Sequence, residues 1–68
     1  MQYRVFDNGR ELKRGDSVKD FQGEDWIFEF VSRGPAAGKS ALVVVKESNG
    51  NWLREFYAGV FSLEVKEV

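Results

Sequence analysis

The amino-acid sequence predicts a small all-β domain, and three observations support that prediction. Apolar and polar residues alternate with a period of two, most clearly over residues 25–32, which is typical of a half-buried strand. Asn-Gly pairs at residues 8–9 and 49–50 are strong signals for β-hairpins. No segment sustains the 3.6-residue period of an amphipathic helix. We therefore expect five or six short strands arranged as a small barrel or sandwich.

The N-terminal part of the chain is expected to form a hairpin. Residues 2–7 alternate as a strand does, residues 8–9 supply the turn, and residues 10–12 form the returning strand. Both central residues of this turn type need positive φ, which Asn and Gly adopt at low steric cost. Residues 13–16 then turn into a short strand at 17–21.

The predicted core comes mainly from two central strands. Residues 25–32 place three aromatic side chains on one face, and residues 41–47 form a valine-rich strand. A loop over residues 33–40 separates them and contains the only proline. We expect most of the core to consist of Phe28, Phe30, Val43, Val45 and Leu63.

The C-terminal part is expected to contain two more strands. Residues 52–57 return from the second Asn-Gly turn, and residues 62–68 close the domain. Residues 58–61 between them are too few for an α-helix and are typical of a single 3₁₀ turn.

Length and composition limit the class of protein. A chain of 68 residues is expected to be one domain spanning residues 1–68, and 43% hydrophobic with 31% charged residues is a globular composition. Ten Lys and Arg against eleven Asp and Glu leave a net charge of −1, which argues against nucleic-acid binding as the main role. No apolar run approaches the ~20 residues of a membrane helix, so we expect no membrane association and a cytoplasmic location.

The residue inventory also limits the chemistry. The chain has no Cys and no His, which excludes disulfides, thiol nucleophiles, Ser–His catalysis and zinc sites built on those ligands. No other nucleophile–base pair or metal shell is evident, so we expect neither enzymatic activity nor a cofactor.

The segment from Gly34 to Ser40 superficially resembles a P-loop. Only three residues separate Gly34 from Gly38, whereas the Walker pattern needs four, and the next residues favour a strand where a P-loop needs a helix. We interpret the segment as a hairpin loop. A modest anion-binding role for Arg33 and Lys39 is the alternative.

Three charged or turn-like clusters have simple structural interpretations. The Arg14-Gly15-Asp16 tripeptide fits a turn before a strand. The acidic cluster formed by Asp20, Glu24 and Asp25 lacks the contrasting environments of an acid–base pair and the ligand density of a calcium loop. The basic cluster of residues 10, 13 and 14 is interpreted as a solvated hairpin end, with phosphate contact as the alternative.

The aromatic content is 15%, more than the core of so small a domain can enclose. Trp26 is expected in the core. Trp52 follows a turn directly and should lie at the barrel rim, where it either caps the core or binds a partner. Strand alternation puts Trp52 and Arg54 on one face of their strand, with Tyr57 on the other.

The order of these elements resembles that of Src-homology-3-like barrels. The resemblance rests on Gly15 and Asp16 before an apolar strand, on the Asp25-Trp26 strand start and on the turn at residues 57–63. It implies a five- to six-stranded barrel with one 3₁₀ turn before the last strand. An OB-type barrel is the alternative and usually needs a longer chain. The proline-rich ligand binding of the family is not expected, because the 3₁₀ turn has Ala58-Gly59 and no proline.

A closer resemblance is to small uncharacterised proteins encoded by actinobacterial phages. The matching positions fall within residues 15–65 and are Gly15, Asp16, Val18, Asp20, Phe21, Gly23, Glu24, Gly38, Lys39, Ser40, Arg54, Glu55, Phe56, Tyr57, Val60, Phe61 and Leu63. This resemblance implies a phage or prophage accessory protein in a bacterial cytoplasm, with no established activity.

Together these observations favour a non-catalytic protein-interaction module that binds a host or phage protein. Trp52 and Arg54, flanked by Tyr57, are the expected partner-binding residues, since Trp, Tyr and Arg are enriched in binding hot spots. A nucleic-acid-associated barrel and a minor phage structural or assembly protein are the alternatives. Self-association is a further alternative.

Overall fold

A computed structural model describes residues 2–36 and 39–68 and confirms the all-β class. Its elements, in chain order, are β1 (Tyr3–Asp7), β2 (Arg10–Leu12), β3 (Ser17–Lys19), β4 (Asp25–Arg33), β5 (Leu42–Glu47), β6 (Leu53–Tyr57), a 3₁₀ turn (Ala58–Phe61) and β7 (Leu63–Glu67). The described residues contain seven strands, one more than the upper end of the expected total, and each lies at a segment predicted to be a strand. The 3₁₀ turn lies directly before the last strand, as predicted.

The strands form two antiparallel sheets that enclose one core. One sheet has the order β2-β1-β7 and the other β3-β4-β5-β6, so the described strands do not close into a single hydrogen-bonded barrel. The buried core side chains come from both sheets and from the 3₁₀ turn. They are Val5, Leu12, Val18, Phe28, Ala41, Val43, Val45, Ala58, Phe61 and Leu63.

Four of the five predicted core residues are buried, and the prediction for Phe30 is wrong. Strand β4 has two irregularities in its pairing with β5, one between Phe28 and Phe30 and the other between Val31 and Arg33. Each places one extra residue in β4, as a β-bulge does, and shifts the facing of the residues after it. Phe30 therefore faces away from the core, while Val31 packs against it.

The two Asn-Gly pairs both lie in hairpin turns, but only the first has the predicted backbone conformation. Asn8 and Gly9 have φ values of 53° and 87° and join β1 to β2 by a two-residue turn. Asn49 and Gly50 do not have positive φ. The connection from β5 to β6 spans five residues and contains a Gly50 N–H to Glu47 carbonyl bond of 3.1 Å. A loop of that length does not require the mirror-image turn of a two-residue hairpin.

Three aromatic rings close one end of the core. Trp26, Phe56 and Phe61 contact one another edge to face, with centroid separations of 5.3 to 6.4 Å. Trp26 is half-buried at the margin of the core, and Phe61 from the 3₁₀ turn is fully enclosed. The 3₁₀ turn thus contributes to the core as well as linking β6 to β7.

Candidate functional site

The face of the four-stranded sheet turned away from the core, here called the outer face, carries mostly apolar side chains. Cross-strand partners share a face, so the pairing of β4, β5 and β6 defines three rows across it. These rows are Ile27–Lys46–Leu53, Phe30–Val44–Glu55 and Arg33–Leu42–Tyr57. The two bulges in β4 produce the three-residue spacing from Ile27 to Phe30 to Arg33.

Four residues on this face form what we call the outer patch: Phe30, Val44, Leu53 and Tyr57. Val44 is only 8% exposed although it lies outside the cluster of core residues that pack together, so its neighbours on the outer face cover it. Phe30, Leu53 and Tyr57 remain 48%, 55% and 57% exposed. Several large apolar side chains exposed on one face of a sheet are a feature of interaction sites more than of ordinary protein surface.

Strand β6 is an edge strand whose side chains are mostly exposed. Within its sheet it pairs only with β5, so one side of its backbone has no strand neighbour among residues 2–36 and 39–68. Four of its five residues are exposed, and Phe56 is the half-buried exception. An edge of this kind can accept an additional strand.

Trp52 lies just before β6 and is 76% exposed. It is absent from the core, so the alternative in which this ring plugs the barrel end is wrong. Arg54 is paired with Val45 and therefore lies on the core side of β6, where it forms a 3.2 Å ion pair with Glu47. Tyr57 lies on the outer face. The structure thus separates Arg54 from Tyr57, in agreement with the alternation expected for this strand.

Asp20 is a structural residue of the acidic cluster. One carboxylate oxygen accepts a 3.0 Å hydrogen bond from Trp26 Nε1, and the other accepts backbone N–H groups of Gln22 and Glu24 at 2.9 Å. The Trp26 bond above all, together with the backbone donors, holds the pKa of Asp20 below its usual value. The carboxylate therefore anchors the β3–β4 turn and links it to the aromatic cluster.

This arrangement predicts an acid-dependent loss of stability. Because the pKa of Asp20 is lowered by folding, its stabilising effect is present above its unfolded value of about 4 and is lost as the pH falls through the folded pKa. Urea midpoints measured from pH 7 to pH 2.5 should fall more steeply below about pH 4 in the natural protein than in an Asp20→Asn variant. Identical slopes in the two proteins would contradict this role.

The basic residues near the first hairpin are largely neutralised. Arg10 pairs with Asp7 at 3.8 Å and Arg14 pairs with Glu29 at 3.0 Å. Gly15 has φ of 95° and Lys13 N–H donates to the Asp16 carboxylate at 2.8 Å, so the Arg-Gly-Asp segment is part of a tight turn, as interpreted above.

The P-loop-like segment has the interpreted hairpin geometry in its described part. Ala36 and Lys39 form an antiparallel bridge, and strand β5 follows where a P-loop would need a helix. Gly38 lies outside the described residues. At the end of the outer face, a shallow pocket is lined by Arg33, Lys39, Ser40 and Tyr57. We call it the basic pocket.

Sequence reasoning missed the outer patch, although one signal for it was present. The uninterrupted apolar run from Leu42 to Val45 is typical of a strand covered on both faces, and in an antiparallel sheet this implies apolar residues on the outer face too. Because alternation predicts Phe30 in the core, its place in the outer patch does not follow from the sequence pattern.

Two classes of site are absent from the described residues. Within residues 2–36 and 39–68, no three Asp or Glu side chains lie close enough to bind a metal ion together. In the same part of the chain, no helix has the length and apolar character needed to span a membrane.

No family model, curated protein or solved structure matches this chain.

Proposed function

We propose that this protein is a non-catalytic interaction module that binds an extended segment of a partner protein along β6. The observation that carries the proposal is the coincidence of an edge strand, open on one side in the described part of the chain, with exposed apolar side chains beside it. Leu53 and Tyr57 project from β6 onto the outer face, and Trp52 is exposed immediately before the strand.

Strand addition would use both features of this site. The backbone of an added strand would bond to the free edge of β6, and every second side chain would lie over the outer patch. We therefore expect a partner segment with apolar residues at alternate positions. Aromatic anchors such as Trp52 and Tyr57 would contribute most of the binding free energy.

Charge distribution favours a protein partner over nucleic acid. The net charge is −1, and most of the cationic side chains in the described ranges are ion-paired with a carboxylate. Little positive potential is left to attract a phosphate backbone. The assignment of the partner to a phage or its host rests on the sequence resemblance alone.

Selection from a library of random linear peptides tests this proposal. The enriched peptides should alternate apolar residues, and their affinity should fall at least about tenfold when Tyr57→Ala or Trp52→Ala is introduced. Both side chains are exposed, so the variants should remain folded by circular dichroism. Calorimetric titration measures the affinities.

Phe21→Ala is the matched control, because Phe21 is an exposed aromatic residue in the β3–β4 turn, outside the outer patch. It should leave the affinity unchanged. Arg54→Ala should have a smaller effect than Tyr57→Ala, since Arg54 lies on the core side of β6, away from the outer patch, and is ion-paired with Glu47. Selected peptides that bind folded Tyr57→Ala and Trp52→Ala as well as the natural protein would contradict the proposal.

A further inference from the structure

The basic pocket at the end of the outer face collects hydrogen-bond donors from three neighbouring segments. Arg33 ends β4, Lys39 and Ser40 precede β5, and Tyr57 ends β6. Arg33 Nη2 donates to the Ser40 carbonyl at 3.0 Å, which ties the guanidinium to the loop. The side chains lining the pocket thus offer a guanidinium, an ammonium and two hydroxyl groups, with no acidic group among them.

The two cations of this pocket differ from most others in the protein. Six cationic side chains elsewhere have a carboxylate within 4.0 Å, whereas Arg33 and Lys39 have none among residues 2–36 and 39–68. Glu55, the nearest acidic residue by row on the outer face, accepts a hydrogen bond from Ser32. In a chain with net charge −1, an unpaired pair of cations is charge-complementary to an anionic ligand.

The pocket is also continuous with the proposed docking surface, because Tyr57 belongs to both. We propose that the basic pocket binds a carboxylate side chain of the partner, so that the partner segment is acidic at the end that lies beside Tyr57. That the carboxylate belongs to a protein partner rests on the proposed function. A guanidinium accepts a carboxylate in a bidentate arrangement, and the lysine and hydroxyl groups supply further donors.

Amide NMR titration with tetraglutamate tests the pocket separately from the apolar surface, since this peptide has no apolar side chain to occupy the outer patch. Saturable shifts are expected at Arg33, Ser40 and Tyr57, and they should weaken as sodium chloride rises from about 20 to 150 mM. Tetraglutamine, which is uncharged, should cause none. The Arg33→Gln/Lys39→Gln variant should lower the tetraglutamate affinity at least about fivefold.

The control variant is Lys13→Gln/Lys19→Gln, which removes the same net charge from exposed positions that do not line the pocket. It should change the affinity by less than about twofold. Equal loss of affinity in the two variants, or shifts that do not saturate, would overturn the proposal.

Inorganic phosphate is the second probe, and saturable binding of phosphate without tetraglutamate binding would also overturn the carboxylate assignment. Trp52→Ala affects only the peptide-selection test, because Trp52 does not line the basic pocket, so the two proposals can fail separately.

Discussion

Replacing Phe28 by alanine is expected to unfold a large fraction of this protein, whereas the same replacement at Phe30 is not. Phe28 is buried opposite Val45, and truncation of a buried phenylalanine costs about 3–5 kcal/mol. A domain of this length has a free energy of unfolding of only about 3–10 kcal/mol. Phe30 is nearly half exposed on the outer face, so Phe30→Ala should cost about 1 kcal/mol.

This pair of variants distinguishes a bulged strand from a regular one. In an unbroken strand the two phenylalanines, two residues apart, would share a face and cost the same on truncation. Urea unfolding followed by circular dichroism gives both free energies. Equal losses at the two positions would contradict the bulge between them and the outer patch that depends on it.

Replacing Phe61 by alanine is the second change expected to have a large effect. Its side chain is 4% exposed and contacts Trp26 and Phe56 edge to face, at centroid distances of 6.4 and 5.7 Å. The substitution removes buried apolar area and two aromatic contacts together, so we expect a loss of about 3–5 kcal/mol. Trp26 fluorescence should report the loss of packing directly.

Because Phe61→Ala can unfold the domain completely, leucine substitutions provide a second measurement. Phe61→Leu and Phe56→Leu keep apolar volume and remove the ring contact between the two residues. A double-mutant cycle on these positions should give a coupling of about 0.5–1.5 kcal/mol. Additive effects of the two substitutions would show that the edge-to-face geometry contributes nothing beyond burial.

The proposed site depends on contacts that are distant in the sequence. The outer patch combines Phe30 from β4 with Val44 from β5 and two residues of β6, and the basic pocket joins residues 33, 39, 40 and 57. The sequence predicts Tyr57 as a partner contact because of its residue type and its place after a hairpin arm. Its proximity to Arg33 follows from the pairing of both β4 and β6 with Leu42 of β5.

The sequence by itself determined the all-β class, the approximate strand positions and the first hairpin turn. These properties follow from local preferences: period-two alternation, β-branched and aromatic residues in strands, and Asn8-Gly9 in positive-φ positions. Its lack of Cys and His also excluded whole classes of chemistry. Each of these inferences needs only residues that are close together along the chain.

Only the tertiary structure decided the facing of Phe30, the exposure of Trp52 and the convergence of Arg33 with Tyr57. Alternation assigns a side chain to a face only while the strand is regular, and a single extra residue reverses the facing of those that follow. Whether a strand contains such a residue depends on how it pairs with its neighbours across the sheet. In β4 the pairing with β5 breaks register between Phe28 and Phe30, which moves an aromatic side chain from the predicted core to the outer face.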